Sequence, residues 1–394
     1  MSGSRVPAVA ARAWLVTCLR ALGARRAPPA PPRDLDWPTL VDVAVAEDLA
    51  PALAHGLGTA GWAGVPVSAR RRLTEALATS RGRHLLMTRA AAPVLRRCAD
   101  DGVEVIVLKG PTLAESLYPD PALRPCSDLD LLVRPADRFR MDAVLRALGH
   151  HRVADEHSWD FDIAYDGATV YETPGGVRID LHWALLTEPR FVWNADETEI
   201  WARSEAISVE GEPSRGLGRE DLVLYLAAHL AVHHTLAGLR RYWDVALLLE
   251  RWVGALDWET LRARAARWRV RHALFFVLRG ARALFHAPVP ADVLAALRPG
   301  GARAGLLEAI VRRSDDTRLR RLEHLVTLLL VDRSRDLCGA LRHAVLPSAS
   351  WMRARYGIET ASRPTLYRAH ARRLGGVVGG AAGALVRRGA HRHG

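Results

Sequence analysis

Residues 107–133 read VLKGPTLAESLYPDPALRPCSDLDLLV, and the order of residue types here predicts both a run of elements and a place where charge converges. Val103 to Leu108 is an apolar stretch broken only by Glu104 and reads as a buried strand. Gly110 marks a turn, Pro111 a first helical residue, and Thr112 to Tyr118 a helix. A strand that passes through glycine into a helix N-terminus offers backbone N–H groups to a phosphate. Lys109, just before the glycine, is the only lysine among 55 basic residues. Its ammonium is a compact point charge on a flexible stem, so the position asks for something that the chain's arginines do not supply.

Downstream, Asp128 and Asp130 alternate with Leu129 and Leu131. The period of two puts both carboxylates on one strand face and both leucines toward a core. Two carboxylates so close repel unless a cation or proton lies between them, and hard divalent cations prefer such oxygen ligands. A clamp on two ions needs a third carboxylate. Asp180 in VRIDLHW, residues 177–183, is the best candidate, because it alternates with Ile179 and Leu181 and shares its face with Arg178 and His182. A second alternating pair, Asp160 and Asp162, follows no glycine turn and reads as a solvated strand face. His229 and His233 are four residues apart and share a helix face, with His234 beside them. Leu230 stands where a His-Glu-x-x-His zinc motif has its glutamate, so the spacing favours a core-edge or substrate-facing cluster over zinc.

These residues resemble the DNA polymerase beta-like nucleotidyltransferase superfamily and, within it, the bacterial group called uncharacterised nucleotidyltransferases. The similarity runs over roughly residues 40 to 250. It rests on Lys109-Gly110-Pro111, Tyr118, Arg124, the Asp128/Asp130 pair, Asp180-Leu181-His182-Trp183 and the helical stretch HLAVHHTLAGLRRYWDVALLL from His229 to Leu249. The superfamily often has Gly-Ser at its turn. Here Pro111 follows Gly110, and Thr112 is the nearest hydroxyl. The resemblance implies Asp128, Asp130 and Asp180 as catalytic and metal-holding residues with two Mg2+ ions. It implies Lys109, Gly110, Thr112 and Arg124 as nucleotide-binding, and His229, His233 and Asp244 as cleft-facing residues for substrate; His182, two residues after Asp180 and on its face, is a further substrate-binding candidate through metal-shell or phosphate contact. The expected reaction moves a nucleoside monophosphate from a nucleoside triphosphate to an acceptor hydroxyl or phosphate and releases pyrophosphate. The acceptor, whether small molecule, peptide or protein, is not legible, because such a core handles only triphosphate and metal.

Composition bounds the alternatives. The 394 residues are 49% hydrophobic and carry a formal net charge of +12. That excess invites a nucleic-acid partner, yet arginines and acids interleave along the chain and no nucleic-acid-binding module signature occurs, so such a partner is compatible but not favoured. Cys18, Cys98, Cys126 and Cys338 are isolated in sequence, which supports neither zinc nor disulfides and makes the cytoplasm the expected compartment. Arg12 interrupts the apolar N-terminal stretch, which argues against a signal peptide, and no run approaches a membrane span.

The expected fold is α/β of the α+β kind: a small mixed-sheet nucleotidyltransferase core flanked by N- and C-terminal helical regions. The divisions are an N-terminal helix with a proline-rich linker (1–34), a helical region (35–101), the core (102–213), a C-terminal helical domain (214–373) and a flexible Gly/Ala/Arg tail (374–394). Strands are expected near 159–166, 168–173 and 177–183, with a helix over 136–148 stopped by Gly149. A kink or break is expected at Pro93. Two other functions fit less well: a catalytically silent nucleotide-binding scaffold, and a basic nucleic-acid-binding protein such as a toxin–antitoxin component.

Overall fold

The computed structural model describes residues 5–153, 159, 162–186, 193–313, 316–345, 347, 351–352, 364–365, 367–372 and 375. Asp160 and, Gly375 aside, the tail expected from Leu374 lie outside them. Four helices open the chain: α1 (Arg5–Gly23), α2 (Trp37–Ala46), α3 (Ala50–Thr59) and α4 (Val67–Asp100). Asp36 starts α2 by accepting the Thr39 N–H at 3.2 Å, with Pro38 in the first turn. Helix α4 runs through Pro93 without a break. Pro93 and Arg89 are exposed while Ala91, Val94, Leu95 and Cys98 are buried, so water can take the carbonyl that proline leaves unbonded and packing holds the opposite side.

The sheet is mixed and seven-stranded, in the order β3-β4-β5-β2-β1-β7-β6. Its strands are β1 (Ile106–Val107), β2 (Asp128–Leu132), β3 (His151–Arg152), β4 (Ala168–Glu172), β5 (Arg178–His182), β6 (Glu205–Val209) and β7 (Glu212–Gly216). Between β1 and β2 lies α5 (Pro111–Leu117), and between β2 and β3 lies α6 (Arg138–Ala147), which ends before Gly149 at φ +80°. Residues 162–166 form a π-helical turn rather than a strand. Asp162, read as solvated, is instead 4% exposed and paired with Arg152. A buried carboxylate requires such a partner.

Alternation along the strands divides two cores. Val105, Val107, Leu129, Leu131, Ile179 and Leu181 face α4 and α6, packing with Leu95, Met141 and Leu145. The opposite parity, Ile106, Leu108 and Leu132, joins a larger cluster that also contains the first three helices and the C-terminal ones. Asp128 and Asp130 share the parity of Leu132, so their side chains look toward the C-terminal helices. These include α7 (Glu197–Arg203), α8 (Arg219–Val232), α9 (Leu239–Arg251), α10 (Trp258–Trp268) and α11 (Arg271–Phe285), with further helices to residue 345. Each leucine or phenylalanine buried in these layers contributes about 1.5–3 kcal/mol, enough to hold a helical wall over the carboxylate face.

Candidate functional site

The site begins where β1 ends. Leu108 N–H donates to the Asp130 carbonyl at 3.1 Å, which fixes the main chain leading into Lys109 against β2. Gly110 then adopts φ +79°, and a Cβ there would lie 3.2 Å from the Asp128 carbonyl oxygen. Positive φ and close approach together require glycine at the turn. Thr112, half-buried, lies in the first turn of α5.

Strands β2 and β5 pair in parallel with Asp130 directly beside Asp180, Asp128 beside Arg178 and Leu132 beside His182. Potential ligand atoms of Asp130, Asp180 and His182 therefore lie within 4.8 Å of one another. Asp130 is 2% exposed, and its Oδ1 accepts an ion pair from Lys109 Nζ at 2.9 Å, with His182 Nε2 at 3.6 Å. Asp130 Oδ2, Asp180 Oδ1 and both ring nitrogens of His182 are buried without a hydrogen-bond partner. Buried polar atoms are ordinarily satisfied, so such a group of unpartnered carboxylate oxygens and imidazole nitrogens at one point fits a cation, and the ligand set of two carboxylates and an imidazole suits a divalent one. Asp128 accepts the Ser127 hydroxyl at 3.2 Å and stands at the edge of the cluster, where its charge reaches Asp180.

Electrostatics separates the carboxylates. Burial followed by the charges of Asp130 and Asp128 pushes Asp180 up to about 6. Burial acts the same way on Asp130, but Lys109 and His182 outweigh it and take that group down to about 2. One carboxylate is therefore held ionised by a close cation, while its neighbour, with Arg178 no nearer than 3.9 Å, is not.

The opposite wall comes from α8. Tyr225, His229 and His233 follow at intervals of four on one face, with ring centroids 5.8 Å and 5.1 Å apart, and His234 lies 4.8 Å from His229. Burial and then Lys109 hold His229 well below its usual range. His233 keeps much of its surface exposed, yet burial of the ring and the charges of His182 and Lys109 lower it to about 4. Tyr225 lies close enough for Asp130, Asp128 and Asp180 to add to burial in raising its hydroxyl far above the usual value. The sequence reading missed Tyr225, though extending the His229/His233 stripe back by one turn would have found it.

Arg124 and Asp244 are placed differently from the expectation. Arg124, 5% exposed, gives Nε and Nη2 to Asp244 at 3.0 Å and 3.1 Å, and Nη1 to the Gly110 carbonyl at 3.3 Å. Tyr118 donates to Asp244 at 2.6 Å, and Arg240 adds a contact at 3.3 Å. The guanidinium read as a nucleotide ligand and the carboxylate read as a substrate ligand thus bind each other. A buried charge must be neutralised locally, and here the pair joins the glycine turn to α9.

A family model described as an uncharacterised nucleotidyltransferase matches residues 33–286. The chain belongs to this family. It is therefore a nucleotidyltransferase, as the resemblance implied. No curated protein matches it. Among solved structures it is similar to the antibiotic-resistance factor ANT(2'')-Ia in solution, with 15% identity, a TM-score of 0.35 and coverage of 50% of this chain and 98% of that one. The same enzyme in complex with adenylyl-2''-tobramycin gives 16% identity and a TM-score of 0.32, covering 47% and 98%. An antigenic nucleotidyltransferase-like protein from Paracoccidioides brasiliensis gives 12%, 0.31, 53% and 96%. Scores this low carry nothing about ligands. No helix among the described residues is long and apolar enough to cross a membrane.

Proposed function

We propose that the chain transfers a nucleoside monophosphate from a nucleoside triphosphate to an acceptor hydroxyl or phosphate, dependent on Mg2+. The observation that carries this reading is the set of unpartnered, buried polar atoms on Asp130, Asp180 and His182 beside the Lys109-Gly110 turn. Asp130 and Asp180, with Asp128 at the edge and His182 alongside, would hold one or two divalent ions. Bound there, Mg2+ supplies Lewis-acid polarisation of phosphate oxygens and neutralises charge that develops on them.

The chain's own groups perform the remaining work. The acceptor oxygen forms a bond to the α-phosphorus as the bond between that phosphorus and the α–β bridging oxygen breaks. The electron pair leaves with pyrophosphate. A hydroxyl acceptor's proton passes to Asp180 or, through it, to water, since this carboxylate is the more solvent-accessible of the pair. Lys109 carries on Asp130 the positive charge that a divalent ion would bring, and its flexible stem lets it turn to a phosphate oxygen instead. Gly110 lets phosphate approach the main chain without a Cβ in the way, and Thr112 offers a hydroxyl beside it. Arg124 acts from behind through its bond to the Gly110 carbonyl, as a positioning residue. Tyr225, His229 and His233 close the side opposite the carboxylates and exclude bulk water. A cytoplasmic setting, where triphosphates are abundant, suits the four free cysteines.

The test uses each nucleoside triphosphate labelled at either the α- or the γ-phosphate, with Mg2+ and a cell extract as acceptor source. Label from the α-position in a product, with one pyrophosphate per transfer, supports the reading. Transfer of γ-label alone would make the chain a kinase and overturn it.

A further inference from the structure

We propose that Arg240 is a positioning residue for the nucleotide turn: it holds Asp244 in the setting that lets Arg124 fix the Gly110 carbonyl. The proposal rests on the reading of Gly110 as the place where the triphosphate lies. Arg240 acts through Asp244 and Arg124 rather than on the substrate itself.

The contacts run without a gap from the turn outward. Gly110 precedes α5, and its carbonyl accepts the Ala114 N–H at 3.1 Å from within the helix and Arg124 Nη1 at 3.3 Å from outside it. That carbonyl takes the first hydrogen bond of the helix, so a group that holds it also sets where Gly110 and Thr112 stand. Arg124 is oriented in turn by Asp244, which is 3% exposed. Oδ1 of Asp244 accepts Tyr118 at 2.6 Å and Arg124 Nε at 3.0 Å, whereas Oδ2 accepts Arg124 Nη2 at 3.1 Å and Arg240 Nη1 at 3.3 Å. Both guanidiniums therefore meet on Oδ2. The setting of the carboxylate is shared between them, and without Arg240 it follows Arg124 and Tyr118 alone. Arg124 and Arg240 against Asp244 leave one positive charge over, which Asp48, 3.5 Å from Arg240 Nε, offsets.

Arg240 can serve as a fixed point because the main chain beside it is anchored. It lies in the first turn of α9, four residues before Asp244, the spacing that puts two side chains on one helix face. Just before it, Gly238 N–H donates to Asp316 Oδ2 at 2.9 Å and Leu239 N–H to Glu47 Oε2 at 2.6 Å. Arg12 of α1 lies 3.3 Å and 3.4 Å from those same two acids. Carboxylates suit the positive end of a helix, and here they arrive from the end of α2 and from the helix Asp316–Arg321. A cation in a first turn opposes the helix dipole, so Arg240, 11% exposed, is held there by Asp244 and Asp48 rather than by the helix.

Titration calorimetry of the full chain with tripolyphosphate and Mg2+ tests this without nucleobase, acceptor or turnover. Arg240→Gln should weaken tripolyphosphate about five-fold, roughly 1 kcal/mol. Arg240→Lys, whose ammonium still reaches Asp244 from four residues away, should restore most of that affinity. An arginine that served stability alone would lower the melting midpoint and leave affinity unchanged in both variants. In an Arg124→Lys background a single ammonium cannot bond Asp244 and the Gly110 carbonyl together. There Arg240→Gln should weaken binding by less than about two-fold, because the contact through which it acts is already lost. Wild-type affinity in a folded Arg240→Gln, or the same five-fold loss in both backgrounds, would overturn the proposal. The transfer reading fails separately. A chain that moved γ-label would still hold the triphosphate at Gly110 and keep the Arg240 effect, whereas α-label transfer with an affinity indifferent to Arg240 would leave nucleotidyl transfer standing.

Discussion

Replacing Asp180 by asparagine should make the metal-free protein more stable, and the size of the effect follows from the crowding of its carboxylate. Asp180 is 24% exposed, and burial with Asp130 and Asp128 raises its proton affinity from 3.8 to about 6. For an acid with a raised folded-state value, the folded protein binds the proton more tightly than the unfolded chain. The penalty is therefore absent below about pH 4, grows as pH rises through that interval and is complete above about pH 6. Two units correspond to about 3 kcal/mol at 1.36 kcal/mol per unit. Partial exposure reduces this to about 1–2 kcal/mol. Little is lost in exchange, because Asp180 Oδ1 has no hydrogen-bond partner and its contact with Arg178 spans 3.9 Å. Asparagine should raise the melting midpoint at pH 7.5 by roughly 1–3 °C, and the gain should fade toward pH 4. Mg2+ should reverse the order, since only the wild type keeps the full ligand set. Differential scanning calorimetry at several pH values, with and without Mg2+, measures this. A destabilised Asp180→Asn at neutral pH, or a wild type indifferent to Mg2+, would refute the reasoning.

Lys109→Arg keeps the charge but replaces a point ammonium by a longer fork in the space beside Gly110, so kcat/KM for the triphosphate should fall ten-fold or more, about 1.4 kcal/mol; steady-state kinetics checks it, and equal values would remove Lys109 from the mechanism. Asp244→Asn leaves the buried Arg124 guanidinium uncompensated and should cost about 3–5 kcal/mol of stability in denaturant unfolding. Arg124→Lys should melt closer to the wild type yet still lower kcat, because a single ammonium cannot bond Asp244 and the Gly110 carbonyl together.

The strand, turn and helix around Gly110 were legible because each depends on neighbours in sequence: glycine for a positive φ, proline for a first helical turn, a period of two for Asp128 and Asp130. Asp180 was legible for the same reason, and strand pairing set it directly beside Asp130. The partnership of Arg124 with Asp244 was not, since 120 residues separate them and only tertiary packing decides that they neutralise each other. Asp162 escaped likewise. Alternation alone made it a strand residue, whereas the structure buries it in a π-helical turn against Arg152. Whether Pro93 would break α4 was not legible, because that depends on which side of the helix faces water. The solitary lysine drew attention by composition, but its ion pair with Asp130 needed the sheet.

The account's central claim is that the carboxylates beside the glycine turn support transfer of a nucleoside monophosphate. The most direct measurement compares wild type with Asp130→Asn and Asp128→Asn for α-phosphate label transfer at saturating Mg2+, using proteins whose melting curves show intact folding. The predicted result is transfer by the wild type and a loss of at least about a thousand-fold, some 4 kcal/mol, in Asp130→Asn, with Asp128→Asn also disabled. Near-wild-type transfer by a folded Asp130→Asn would contradict the claim.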